Sequence, residues 1–286
     1  MSSPGASGRV GVLCVDLFKT LLELKQPPGE APNWALRVAY AEAFGLSISD
    51  PILKELPEKI AEARKEVEAT GNYHDHDTFW RLTNLKIGQQ ISKEGSSGPL
   101  AVRKARQVRS RITSDPELYE LRQDTRRALR RLMRLRDRYY VVLTTNSSGR
   151  LMTNMVRRFG LNRYFDRLYS TSWIQVPKDQ ASFWMAMRGA FMLPVLSFMT
   201  NSIKWDAPAS NFGIWVHMLD RSDTIEADLR ESYETGVNGR YPPWVHLRFN
   251  QGYLRFYRDP YSLVLGIESQ LEEPGTLKRI TPDPDV

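Results

Sequence analysis

The fold is decided by the stretch Val10-Gly-Val-Leu-Cys-Val-Asp16 and by the Leu-Phe-Lys-Thr20 that follows it. Its first residues are apolar or small, which is the pattern of a strand buried on both faces of a parallel sheet. The carboxylate of Asp16 stands directly after the apolar run, and the hydroxyl of Thr20 comes four residues later. Because ligands of parallel sheets bind outside the carboxyl ends of the strands, we expect both side chains at a functional edge.

Beyond residue 115, helical and strand patterns alternate. A helix is predicted from Asp115 to about Arg138, with leucines on one face and arginines on the other. The elements predicted after it are a strand at 139–143, a helix at 151–159, a strand at 167–170, a helix at 179–191, a strand at 195–199, a helix at 206–212 and a strand at 214–218. This alternation predicts an α/β, Rossmann-like parallel sheet with helices on both faces.

Apolar residues at helical spacing recur in three segments between the first strand and residue 111. The segments are 34–45, 52–70 and about 77–85. Together they predict a small helical cap inserted over residues 25–111, which leaves 9–24 and 112–221 as the α/β core.

The C-terminal part, residues 222–286, differs from the core in pattern. Apolar residues alternate between His246 and Tyr257, which predicts a hairpin or an extended arm. Such a C-terminal extension either covers the edge of the sheet or reaches a neighbouring subunit, since aromatic residues with arginine are favoured in interface cores.

The composition excludes several classes of protein. The 286 residues are 41% hydrophobic and 26% charged, and no apolar run approaches the ~20 residues of a bilayer span. A single cysteine, Cys14, excludes a disulfide scaffold and a cysteine-based zinc site. The formal net charge of +7 favours acidic partners. The N-terminal residues lack the apolar stretch of a secretory signal, so we expect an intracellular protein, either mitochondrial or cytoplasmic.

Polar residues follow four of the predicted strands, where they would converge at one edge of the sheet. They are Asp16 and Thr20, Thr145 and Asn146, Lys178, and Asp206. Buried carboxylates and lysines need partners whether or not they catalyse a reaction. The pattern therefore has two interpretations, a hydrogen-bonded network that stabilises the strand ends or an active site.

The order of these residues resembles the haloacid dehalogenase-like superfamily over about residues 9–221. The chain is most similar to the 2-haloacid dehalogenase branch, in Phe18, in the Thr145-Asn146 pair and in the run Trp205-Asp206-Ala207. The resemblance implies a haloacid dehalogenase-like core with a helical cap.

The resemblance also implies a catalytic role for the strand-end residues. Asp16 would be the nucleophile, and Thr20 and Thr145 would bind substrate oxygens. Lys178 would offset the charge on Asp16, and Asp206 would orient that lysine or the hydrolytic water. A carboxylate can form a covalent ester that water then cleaves, provided that a cation and hydroxyl donors stabilise the developing charge.

Two positions depart from the phosphatases of the superfamily, which hold magnesium with a second aspartate after the nucleophile and another in the last motif. Phe18 and Asn201 stand in those places. A phenyl ring cannot ligate a cation that demands oxygen ligands. We therefore expect no metal, no cofactor and no metal-dependent phosphoryl transfer.

Other positions depart from the dehalogenase branch itself. Its asparagine in the last motif corresponds to Ile203, its small residue after the aromatic to Lys19, and its tyrosine after the lysine to Trp184. A cap arginine binds the substrate carboxylate in that branch, and Arg64 is the best candidate here. Arg64, Phe18 and Trp184 are thus the expected substrate-binding residues.

The segment His74-Asp-His-Asp77 brings two imidazoles and two carboxylates close together in the sequence. This composition invites a metal-site interpretation. Residues two apart do not share a helix face, so a solvated loop is favoured, with Asp77 as a cap of the next helix.

The predicted helix 115–138 is strongly basic, and more basic residues precede it. The arginines are Arg122, Arg126, Arg127, Arg130, Arg131, Arg134, Arg136 and Arg138, with Arg103, Lys104, Arg106, Arg109 and Arg111 upstream. Nucleic acid or anionic lipid is not indicated, because RNA-binding signatures and interleaved aromatics are missing. A solvated basic face is the commoner outcome for such a helix, but the density of charge makes a protein- or nucleic-acid-docking surface plausible.

The lost metal ligands, combined with basic and aromatic surface, favour a non-catalytic subunit or scaffold of a larger assembly, such as a mitochondrial one. Other protein subunits would contact the basic helix 115–138 and the C-terminal arm. The alternative is a metal-independent hydrolase of the 2-haloacid dehalogenase type, acting through an aspartyl ester at Asp16.

Overall fold

A parallel sheet of six strands forms the centre of the fold. The computed structural model describes residues 8–30, 33–70, 76–92, 98–221, 225–227, 229, 231 and 243–272. The strands are β1 (Gly11–Asp16), β2 (Leu22–Leu24), β3 (Tyr119–Leu121), β4 (Tyr139–Thr145), β5 (Arg167–Ser170), β6 (Val195–Thr200), β7 (Trp215–Leu219) and β8 (Leu254–Tyr257). The sheet order is β5-β4-β1-β6-β7-β8, and β2 pairs with β3 in a separate antiparallel ribbon.

Helices cover both faces of this sheet and form the insertion after β2. They are α1 (Trp34–Phe44), α2 (Pro51–Lys54), α3 (Leu56–Thr70), α4 (His76–Ser92), α5 (Pro99–Ser114), α6 (Thr125–Leu135), α7 (Gly149–Arg158), α8 (Thr171–Ile174), α9 (Ala181–Phe191), α10 (Ile203–Asp206), α11 (Pro243–Asn250) and α12 (Pro260–Glu272). Helices α1 to α5 occupy the stretch for which the sequence predicts a cap. Within the described ranges, no helix combines the length and apolarity needed to cross a membrane.

Strand β1 lies in the middle of the sheet, and all six of its residues are buried. It pairs in parallel with β4 on one side and with β6 on the other. Its side chains alternate between two cores, as the period of a strand requires. Leu13 and Val15 belong to the core with α6, α7 and α12, whereas Val12 and Cys14 belong to the core with α9 and α11. The predicted α/β sheet with helices on both faces is confirmed.

The single helix predicted over 115–138 is wrong. Asp115 accepts a hydrogen bond from the backbone N–H of Glu117 at 2.8 Å and so caps a short 3-10 turn. The chain then forms β3, whose residues pair with β2 from Leu22↔Leu121 to Leu24↔Tyr119. The basic helix is therefore α6 alone. The preceding basic stretch forms a helix that the sequence analysis missed, α5.

The C-terminal part differs from the predicted hairpin or arm over residues 243–272. It forms α11, then β8 as the sixth strand beside β7, and then α12, which packs on α6 and β7. Leu263, Val264, Ile267 and Leu271 give α12 a buried helical face. These residues therefore cover the sheet edge, which is the first of the two alternatives for this segment.

Candidate active site

The nucleophile candidate, Asp16, is the last residue of β1 and lies at the carboxyl edge of the sheet. Only 7% of its surface is exposed. One carboxylate oxygen, Oδ1, accepts a hydrogen bond from Lys178 Nζ at 2.6 Å. The other, Oδ2, accepts one from Thr20 Oγ1 at 3.3 Å. The central position of β1 thus delivers a carboxylate that is held on both oxygens.

Lys178 reaches Asp16 from the loop between α8 and α9. Its side chain is buried and lies over the Phe198 ring, with Nζ 4.8 Å from the ring centroid. Two contacts fix its backbone: Trp184 Nε1 donates to the Lys178 carbonyl at 2.6 Å, and the Lys178 N–H donates to Asn146 Oδ1 at 3.5 Å. The loop therefore holds the ammonium group over the end of the sheet.

Asp206 completes a buried array of three charges. Its Oδ1 lies 3.0 Å from Lys178 Nζ, and its Oδ2 accepts a hydrogen bond from Thr200 Oγ1 at the end of β6. Lys178 thus stands between two carboxylates. With all three groups ionised, the array carries one net negative charge in a nearly dry environment.

Burial controls the electrostatics of this array. It raises the pKa of Asp16 to about 6, against the lowering effect of Lys178 and with a further increase from Asp206. Burial alone would lower the pKa of Lys178, but the two carboxylates outweigh it and the pKa is raised. The lysine therefore stays an ammonium ion at neutral pH, and Asp16 is mostly ionised at pH 7.

Thr20 connects Asp16 to the last motif. Its hydroxyl is fully buried and lies 3.1 Å from Asn201 Oδ1 as well as 3.3 Å from Asp16 Oδ2. A hydroxyl has one proton, so the two oxygens share a single donor. Asn201, which the sequence analysis regarded only as a lost metal ligand, therefore helps to orient Thr20.

The residues around Asp16 do not fit a magnesium ion. Both Asp16 oxygens and Asn201 Oδ1 already accept hydrogen bonds, and Phe18 turns its ring toward Tyr119, with the centroids 5.5 Å apart. Magnesium requires an octahedral set of oxygen ligands. Among the described residues, no group of three or more His, Cys, Asp or Glu side chains is placed to hold a metal ion.

Three of the expected site residues have contacts outside the charged array. Thr145 accepts a hydrogen bond from the N–H of Ser147 at 3.1 Å, so its hydroxyl shapes the turn after β4. Phe18 packs against the core beside Tyr119. Arg64 lies in α3, with its guanidinium 5.7 Å from the centroid of the Trp80 ring.

The sequence pattern assigns no role to two residues near the array. Thr200 binds Asp206 at the end of β6, a place that the strand pattern does identify. Asp179 follows Lys178, and burial raises the pKa of its carboxyl group. Its Oδ1 is buried and has no hydrogen-bond partner in the described part of the chain. The sequence shows both side chains but not which way they point.

The His74 to Asp77 segment lies largely outside the described residues. Residues 71–75 are not described, and only the backbone of His76 and Asp77 is, at the start of α4. The choice between a metal site and a solvated loop therefore stays a prediction.

The fold is similar to those of known dehalogenases and hydrolases. The L-2-haloacid dehalogenase from Xanthobacter autotrophicus, with chloropropionic acid covalently bound, is 14% identical, with a TM-score of 0.55 over 91% of this chain and 98% of the other. A haloacid dehalogenase-like family hydrolase from Xanthomonas campestris is 14% identical, with a TM-score of 0.57 over 93% and 94%.

A third similar structure is the putative HAD-hydrolase YfnB from Bacillus subtilis, described as bound to magnesium and as revealing interdomain movement. It is 12% identical, with a TM-score of 0.61 over 91% of this chain and 99% of the other. No family model and no curated protein matches the sequence.

Proposed function

The chain has the haloacid dehalogenase-like fold, and from this premise we propose that it is a metal-independent hydrolase of the 2-haloacid dehalogenase type with Asp16 as its nucleophile. The observation that carries the proposal is the position of Lys178 Nζ, 2.6 Å from Asp16 Oδ1 and 3.0 Å from Asp206 Oδ1. A buried carboxylate with a fixed cation and a second carboxylate is suited to forming and cleaving an aspartyl ester. This proposal departs from the non-catalytic interpretation that the sequence alone favours.

In the first step, an Asp16 oxygen attacks the carbon that carries the halogen. The new bond is between that oxygen and the carbon, and the carbon–halogen bond breaks as the halide leaves with the electron pair. The reaction needs the ionised form of Asp16, which Lys178 favours and burial disfavours. Thr20 keeps the carboxylate oriented through its contact with Oδ2.

In the second step, water attacks the ester carbonyl of Asp16. The bond between the Asp16 acyl carbon and the ester oxygen breaks, whereas the bond between that oxygen and the substrate carbon stays intact. The departing oxygen takes one proton of the attacking water, so the product leaves as a 2-hydroxy acid that contains one former Asp16 oxygen. The restored carboxylate contains an oxygen from water. Asp206 is the second carboxylate of the array and accepts a water proton that passes to solvent. In total, one water is consumed, and one halide and one proton are released.

The substrate has to reach a carboxylate that is nearly closed off. One surface cavity lies along α5 and another beside β3, and neither is lined by Asp16. A movement of the cap like the interdomain movement described for YfnB would open a path. Arg64, whose buried Nε has no hydrogen-bond partner among the described residues, is our candidate for binding the substrate carboxylate after that movement.

Isotope labelling tests this mechanism directly. The protein is incubated with 2-chloropropionate in ¹⁸O-water over several turnovers, and the peptide that contains Asp16 is analysed by mass spectrometry. We expect ¹⁸O in Asp16 and loss of turnover in Asp16→Asn, with normal turnover in the exposed control Asp137→Asn. Unchanged turnover in Asp16→Asn, or no turnover of any 2-halo acid in the wild type, would contradict the proposal.

A second candidate function is favoured by the arginines around α6. Five of these arginines have a carboxylate or an aromatic ring as partner: Arg122, Arg127, Arg131, Arg136 and Arg138. Arg126, Arg130 and Arg134 are exposed and have no ion-pair partner in the described ranges. They recur every four residues, so they form one row along the helix. This row is a docking surface for an acidic protein subunit in the scaffold interpretation.

Charge reversal tests the scaffold interpretation. The triple variant Arg126→Glu, Arg130→Glu and Arg134→Glu is compared by sedimentation of native lysate with a control of equal charge change. That control reverses three exposed cap residues, Lys54, Lys65 and Arg81. We expect the α6 variant alone to sediment as a 32.9 kDa monomer. A wild-type protein that is itself monomeric in lysate would refute the scaffold.

A further inference from the structure

The loop that joins β1 to β2 has an unusual backbone. Lys19 has a φ of 60°, in the left-handed region that residues other than glycine rarely adopt. Its N–H donates to the Leu22 carbonyl at 2.5 Å, and the Leu22 N–H donates back to the Leu17 carbonyl at 3.0 Å. A backbone in this region is strained and persists only when neighbouring groups hold it.

Arg221 contacts this loop from the other end of the site. It lies two residues beyond the end of β7, and its three guanidinium nitrogens all donate hydrogen bonds. Nη1 donates to the Lys19 carbonyl at 2.8 Å, Nη2 to the Thr20 carbonyl at 3.2 Å, and Nε to Asp124 Oδ2 at 3.2 Å. One side chain therefore fixes two consecutive carbonyl groups.

The contacts of Arg221 lead directly to the nucleophile. The carbonyl of Thr20 is bound by Arg221, and the hydroxyl of the same residue donates toward Asp16 and Asn201. Only a few bonds separate these groups, so a rotation of the Lys19–Thr20 backbone would move the hydroxyl away from Asp16. Asp124, at the start of α6, holds the guanidinium in place.

We infer that Arg221 is a positioning residue for the reaction proposed above: it holds the left-handed Lys19 and thereby keeps the Thr20 hydroxyl on the Asp16 carboxylate. The inference rests on the proposed function for its kinetic part and on the contacts alone for its structural part. Lysine cannot replace Arg221, because one ammonium group cannot serve two carbonyls and a carboxylate in the fixed fork geometry of a guanidinium.

The kinetic test is a double-mutant cycle with 2-chloropropionate. We expect Arg221→Ala and Arg221→Lys to lower kcat by about 10–100-fold, the scale of a misplaced reacting group, with KM within about twofold. If Arg221 acts through Thr20, the double variant with Thr20→Val is about as slow as Thr20→Val alone. Multiplicative losses in the double variant would overturn the inference.

Arg122→Ala is the matched control. Arg122 belongs to the same charged cluster, pairing with Glu23 and Asp124, but its side chain does not contact the Lys19 or Thr20 carbonyl. We expect its kcat to stay within about twofold of the wild type. An equal loss in this variant and in Arg221→Ala would mean that the charged cluster, and not the two carbonyl contacts, is responsible.

Hydrogen exchange tests the structural part without any turnover. The amides of Lys19, Leu21 and Leu22 are hydrogen-bonded inside the loop. A peptide that covers residues 17–24 should exchange at least about tenfold faster in Arg221→Ala than in the wild type or Arg122→Ala. Unchanged exchange would refute the inference even if the chain is an enzyme. Faster exchange with no turnover in the wild type would uphold the loop contact and refute only the proposed function.

Discussion

Replacing Lys178 with methionine removes the cation from the buried array and leaves two carboxylates facing each other. At an effective dielectric constant of about 20, the contacts of 2.6 Å and 3.0 Å correspond to about 6 kcal/mol of attraction each. The variant also no longer buries an ammonium group, which offsets much of that loss. Removing one partner of a buried ion pair lowers the free energy of unfolding by about 3–5 kcal/mol. We expect a decrease in this range for Lys178→Met at pH 8.

The free energy of unfolding that Lys178→Met loses should be smaller at acidic pH. Without the lysine, Asp16 loses the lowering effect of Lys178 and keeps the raising effects of burial and of the Asp206 charge, so its folded-state pKa lies further above that of the unfolded chain. Such a group contributes stability that is present below the unfolded pKa and is lost as the pH rises through the folded pKa. The penalty of Lys178→Met is therefore smaller at pH 5.5 than at pH 8. Adding Asp16→Asn to Lys178→Met removes one of the facing charges and should restore part of the stability at pH 8.

Urea denaturation at the two pH values measures these differences. Lys86→Met is the control, because Lys86 pairs with Glu66 at 3.0 Å on the surface, where both side chains are about 40% exposed. Exposed pairs of this kind contribute about 0–1 kcal/mol. The reasoning would be refuted if Lys178→Met lost no more than Lys86→Met at pH 8, or if its loss did not depend on pH.

Three further predictions concern other groups. Burial lowers the pKa of His217 to about 3, so the folded state binds fewer protons than the unfolded chain below pH 6.5. The free energy of unfolding therefore falls as the pH falls. In urea denaturation at several pH values, His217→Phe should reduce this dependence by up to about 1.4 kcal/mol per pH unit. A methyl group at Gly266 would lie 2.1 Å from Tyr257 Oη, so Gly266→Ala should lower the free energy of unfolding by about 1–3 kcal/mol. A methyl group at Gly189 would meet nothing within 4 Å, so Gly189→Ala in helix α9 should raise the free energy of unfolding by about 0.5–1 kcal/mol. The kcat/KM for 2-chloropropionate should fall below about pH 6 as Asp16 is protonated, and a flat profile from pH 5 to 8 would contradict that assignment.

The residues of the charged array could be predicted because they follow buried strands. In a parallel sheet, all strands end at the same edge, so Asp16 and the segments that follow the other strands meet there. The loop between α8 and α9 then determines where the Lys178 ammonium group lies. Arg64 shows the limit of this rule. It belongs to a helix of the insertion, and strand ends do not determine where its guanidinium points.

The errors in the fold come from contacts between distant parts of the chain. Tyr119–Leu121 forms a strand because it pairs with Leu22–Leu24, about one hundred residues away, although the local pattern indicates a helix. Leu254–Tyr257 likewise becomes a sheet strand only by pairing with β7. Local periodicity carries no information about such partners, so the ribbon and the sixth strand could not be placed from the pattern alone.

The charge balance of the array favours an ester at Asp16. In the resting state, the array holds one cation and two carboxylates, and burial already opposes the charge on Asp16, as its raised pKa shows. Alkylation converts Asp16 to a neutral ester and leaves Lys178 and Asp206 as a balanced pair, 3.0 Å apart. The burial that disfavours the charged carboxylate of Asp16 therefore stabilises the ester of the proposed reaction relative to the resting state. A transferred phosphoryl group would instead bring additional negative charge into a site where Phe18 supplies no oxygen ligand and the Asp16 and Asn201 oxygens already accept hydrogen bonds, so the arrangement that favours alkylation opposes phosphoryl transfer.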